Sequence, residues 1–174
     1  MTSRAIVALA RVCVCVAVGI AKPAQAADPA REMHGSADVF AAPGVALAWG
    51  VLRGANDATT IVVVRIAADP AQFASVAAVG RDPFTQQVKP LLPATATTRT
   101  IDLRVPRAHF ADFPRTELFL YDAAAPAQSA TPKLVVFYLG VPDTTPEFAT
   151  EAALESYLVQ RIARARTGSG SKTP

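Results

Sequence analysis

The chain has 174 residues, of which 51% are hydrophobic and 18% charged, and a formal charge of +3. Its 17 basic residues fall to 14 when Arg4, Arg11 and Lys22 of the first 26 residues are set aside, which matches the 14 acidic residues and leaves a neutral remainder. That balance excludes a nucleic-acid binder resting on a basic face, and plentiful apolar residues with sparse charge exclude long disorder.

Residues 1–26 read as an export signal. A short basic segment leads into Val12–Ala21, an uncharged apolar run of ten, and Ala24-Gln25-Ala26 offers the small residues that signal peptidase accepts before a cut after Ala26. Ten residues rise about 15 Å as a helix, half the hydrocarbon thickness of a bilayer. The expectation is a cleaved signal peptide with no transmembrane segment after it, and a retained anchor is the alternative. Cys13 and Cys15 both lie inside the leader, so the mature domain carries no disulfide, thiolate nucleophile or cysteine-bound metal. An alanine-rich, cysteine-free exported domain suits a bacterial periplasm.

Positions 27–36 lack periodicity and are expected as a flexible N-terminal arm. Within it Met33 and His34 are adjacent, a pair that holds copper or a similar ion when other ligands arrive from elsewhere. The plainer reading is a solvated arm.

From 37 to 143 the pattern is β. Residues 38–42 read as an edge strand. Along 45–53, Val45, Leu47, Trp49 and Val51 share one face, while Ala46, Ala48 and Gly50 leave the other open to something packed close. Residues 60–67 are a β-branched central run, and 73–79 a weaker strand ended by Gly80. Residues 99–105 alternate with Ile101, Leu103 and Val105 inward, until Pro106 stops the ladder. Segments 117–122 and 133–139 are apolar on both faces. Seven strands with no helix between them predict a mainly β fold. The expected form is a small antiparallel two-sheet sandwich of immunoglobulin-like architecture.

Residues 144–166 switch to helical spacing. Thr144 or Thr145 fits the N-cap, Pro146 the first turn, and Gly168 the end. Leu154, Leu158, Ile162 and Ala165 form one apolar seam, and Phe148, Ala152, Val159 and Ala163 a second. Glu151 and Glu155 beside the first seam are expected in solvent. One C-terminal helix packed on the domain follows, with residues 167–174 as a disordered Gly/Ser-rich tail.

Catalytic signals are thin. No G-x-S-x-G elbow or phosphate-binding loop occurs, and only His34 and His109 titrate near neutral pH. His109 is expected as a corner residue and Trp49 as a core anchor. The stretch 81–98 reads as the longest irregular segment, with Phe84, Lys89, Leu91 and Leu92 as binding candidates. The loop 123–132 is a second possible contact, and Arg161 and Arg164 at the helix end are a third. The sequence therefore suggests an exported, periplasmic, non-enzymatic accessory or binding protein without a cofactor, recognising a protein partner or a small ligand. The alternatives are metal handling through Met33 and His34, a carboxylate-based enzyme, and membrane-surface contact through the helix.

Overall fold

A computed structural model describes residues 31–33, 39–97, 100–123, 131–141 and 144–168. Ten strands and two helices follow in chain order. They are β1 (Arg31–Met33), β2 (Val39–Ala42), β3 (Val45–Leu52), β4 (Ile61–Ala68), β5 (Phe73–Arg81), β6 (Val88–Ala96), β7 (Ile101–Pro106), α1 (His109–Asp112), β8 (Arg115–Asp122), β9 (Leu134–Leu139), β10 (Glu147–Phe148) and α2 (Glu151–Gly168).

The strands form two sheets packed face to face. Sheet A has the order β1-β9-β8-β5-β6, and sheet B the order β10-β3-β4-β7 with β2 also on β3. Pairing is antiparallel except where β1 joins β9 and β10 joins β3. The expected mainly β, two-sheet arrangement with a C-terminal helix is what the chain adopts. All seven expected strands are present.

Alternation decides the core. Val45, Leu47, Trp49 and Val51 of β3 meet Val76 and Ala78 of β5, Leu118 and Leu120 of β8, and Val136 and Tyr138 of β9 in one buried cluster. Trp49 sits inside it, its ring 5.0 Å from Tyr138. The small-residue face of β3 looks outward and takes α2. Ala46, Ala48, Val63 and Ala67 pack against Leu154, Leu158 and Ile162. A Cβ on Gly50 would stand 2.8 Å from Leu154 Cδ1 and 3.1 Å from Phe148 Cε2, so glycine is what admits the helix start.

Three expectations are corrected. Residues 81–98 are not one irregular segment, because Val88–Ala96 pair with β5 as β6 despite two prolines; an edge strand tolerates residues that cannot donate on its open side. Part of the supposed arm, Arg31–Met33, pairs along β9. The helix starts later than expected. Pro146 and Phe148 carbonyls accept from the Val51 and Arg53 N–H groups, filling the stretch of the β3 edge that β2 leaves open. Thr150 is then the cap, its hydroxyl accepting from Ala153 N–H at 3.3 Å. The first seam of α2 is buried, but Ala152, Val159 and Ala163 face solvent. A helix lying on a flat sheet needs only one stripe.

Candidate functional site

The turn joining β5 to β6 is held by Asp82. Its carboxylate accepts from the backbone N–H of Phe84 at 2.8 Å and of Thr85 at 3.2 Å, and from the Thr85 hydroxyl. Those donors, the hydroxyl foremost, keep the Asp82 carboxyl below its ordinary pKa. The Asp82 N–H donates to the Gln87 carbonyl, the Gln86 N–H donates to the Asp82 carbonyl, and Gln86 takes a left-handed φ of 61°. This locked turn leaves Phe84 92% exposed. A large aromatic on a turn that is already ordered binds a partner without a loop-ordering cost.

The turn continues into the outer face of sheet A. Residues paired across strands share a face, so the outer face holds Ala77, Phe119 and Val135 in one row and Val79, Glu117 and Phe137 in the next. Arg81, Arg115 and exposed Val88 follow. Glu117 is only 4% exposed, bonded to Arg81 at 2.7 and 3.1 Å and paired with Arg115 at 3.3 Å. The Arg115 guanidinium lies 3.8 Å from the centre of the Phe137 ring. Among the described residues no helix lies on this face.

A cleft of about 380 Å³ separates the edge strands β6 and β7. Lys89, Pro90, Leu91, Arg104, Val105, Pro106, Ala108, His109 and Asp112 line it. The single turn α1 presses His109 inward, stacked on Phe113 at 5.0 Å and edge-on to Phe110 at 5.6 Å. Burial lowers the imidazole pKa, the Lys89 ammonium lowers it further, and Asp112 opposes both. The Lys89 ammonium lies 5.8 Å from the Phe113 ring centre. Arg104 gives its guanidinium to Glu151 at 2.6 and 2.9 Å.

No family model, curated protein or solved structure matches this chain.

The binding candidates thus fall into separate places. Phe84, Lys89, Leu91 and Leu92 come together on the β5–β6 hairpin, with Leu91 and Leu92 half-buried against the core. Arg161 and Arg164 lie on α2, across sheet B; the Arg161 guanidinium is 6.0 Å from the Tyr157 ring centre and Arg164 is exposed. Met33 pairs with Tyr138 as part of β1, and His34 lies outside the described residues, as does 124–130 of the other candidate loop. Among the described residues no three His, Cys, Asp or Glu side chains cluster as metal ligands. No helix among them is long and apolar enough to cross a membrane.

His109 is more than a corner residue: it lines the cleft and is buried. Gly80, expected to end the strand, lies inside β5 (Phe73–Arg81), and the space it leaves is where His109 sits. Glu151 and Glu155 are exposed, as expected, but each is also ion-paired. With Glu147 they form a row spaced by four residues. Glu147 meets Arg53 and Arg107, Glu151 meets Arg104, and Glu155 meets Arg65.

Proposed function

We propose that this is an exported, non-enzymatic binding protein, cut after Ala26, that recognises a protein partner through the β5–β6 turn and the adjoining outer face of sheet A. The carrying observation is Phe84, almost fully exposed on a turn held by Asp82 and Gln86. Preformed aromatic anchors of this kind fill pockets on protein partners and carry a disproportionate share of binding energy. Basic groups in and beside the turn are few: Arg81 is paired with Glu117 and Lys89 faces the Phe113 ring. A lipid surface is better held by an amphipathic element rich in Lys and Arg with several apolar side chains, so a protein partner is the better match.

The test is photo-crosslinking in the source cells from a benzoylphenylalanine placed at position 84, compared with one at Val159, which is 53% exposed on α2. The expected result is a discrete crosslinked species from position 84 that is absent from position 159, while Phe84→Ser leaves the melting temperature unchanged. No discrete species at 84, or the same species from both sites, overturns the proposal.

A further inference from the structure

We propose that the cleft between the free edges of β6 and β7 binds a small amphiphilic carboxylate, its head group at Lys89, beside His109, and its apolar body along Leu91, Val105 and Pro106. This site is separate from the Phe84 surface.

Two local costs meet at His109. Gly80 lies within β5, where glycine is unfavourable. A Cβ there would stand 2.4 Å from His109 Nε2 and 3.1 Å from Phe113 Cβ, so the strand gives up a side chain to admit the imidazole. The Nε2 atom is nevertheless buried with no hydrogen-bond partner among the described residues, although buried polar atoms are rarely left so.

The register places His109 over a polar row. Lys89, Gly80, Thr116 and Tyr138 are paired in succession across β6, β5, β8 and β9. Thr116 Oγ1, Tyr138 Oη and, opposite Tyr138, Trp49 Nε1 are buried and likewise unbonded. An otherwise apolar interior is therefore polar along the line that leads to Lys89.

Charge selects the ligand. Arg104 is neutralised by Glu151, whereas Lys89 has no carboxylate within ion-pair reach among the described residues. Asp112 on the same lining disfavours a dianion, which leaves a single negative charge as the best match. Pro90 and Pro106 line the two facing edges. Neither has an N–H, so ladder bonds do not close the gap. A volume near 380 Å³ suits a small molecule.

The experiment titrates the full mature chain with sodium octanoate and, separately, with n-octylammonium, following backbone amide shifts by NMR. Octanoate is expected to give saturable shifts confined to residues 88–92 and 104–112, with a Kd of about 1 mM or tighter for a ligand of this size. The Lys89→Gln variant is expected to bind roughly tenfold more weakly, since a charge-assisted contact is lost from an exposed position that leaves the fold intact. Phe84→Ser is expected to bind octanoate normally, which keeps this outcome independent of the partner surface. Absence of saturable shifts, shifts centred elsewhere, equal binding of the ammonium ligand, or no effect of Lys89→Gln each overturns the proposal.

Discussion

On the outer face of sheet B, Ala46, Ala48, Gly50 and Ala67 lie beneath α2, while on the outer face of sheet A, Phe119, Tyr121, Val135 and Phe137 stand without a helix over them among the described residues. The first face has shed side-chain volume so that Leu154, Leu158 and Ile162 reach the sheet. The second keeps large side chains that shield one another and one buried carboxylate. Size at outward-facing strand positions thus reports what covers a sheet. Charge follows the same division. On the covered face Arg65, 8% exposed, holds Asp102 and Glu155 with bonds of 2.6–2.7 Å and ties β4, β7 and α2 together. On the other face the Arg81–Glu117–Arg115 cluster links β5 to β8 within one layer.

The contrast is most directly broken by truncating one side chain on each face. Leu158→Ala is expected to cost about 3 kcal/mol, because a fully buried leucine leaves a cavity between helix and sheet. Phe119→Ala, half-buried on the open face, should cost less than about 1 kcal/mol. Urea unfolding of the two variants checks this, and equal losses would mean that the two faces are equally covered. Next in size is Arg65→Met, expected to cost about 2 kcal/mol by leaving Asp102 and Glu155 facing one another. Adding Asp102→Asn should recover part of that loss in a double-mutant cycle. Gly50→Ala is expected to cost about 1 kcal/mol, since the new methyl meets the movable end of Leu154. Added bulk on the open face, Ala77→Val, should be close to neutral.

The smallest effect is acid sensitivity of the helix side. Arg53 and Arg107 hold the Glu147 carboxyl below its ordinary pKa, and Arg104 does the same for Glu151. A lowered native value means that this stability is fully present above the unfolded value of about 4.3. It is lost as pH falls through the native value. Helix amide exchange is expected to quicken below about pH 4 before that of β8 and β9. The Glu147→Gln, Glu151→Gln double variant should flatten the dependence.

Much of this architecture was legible in one dimension. Period-two alternation marked β3 and β7, because a strand with one buried face must alternate. Continuous apolar or β-branched runs bounded by turn residues marked most of the other expected strands, and the stripe of Ala46, Ala48 and Gly50 announced a close neighbour. The Leu154, Leu158, Ile162 seam identified the helical face that docks. Phe84, Lys89 and the Leu91–Leu92 pair stood out as candidates, though as members of a loop.

Tertiary structure decided the rest. β6 is a strand only because β5 supplies its partner, a long-range ladder that local propensity and two prolines argue against. The chain around Glu147 extends rather than coils because the edge of β3 leaves N–H groups at Val51 and Arg53 to satisfy. The polar row through Lys89, Gly80, Thr116 and Tyr138 exists only in register, since its members run from residue 80 to residue 138 on four strands. Sequence determined which side chains needed burial, because that follows from local periodicity and composition. Only the packed sheets decided which polar groups were buried with them, because that depends on pairing between distant strands.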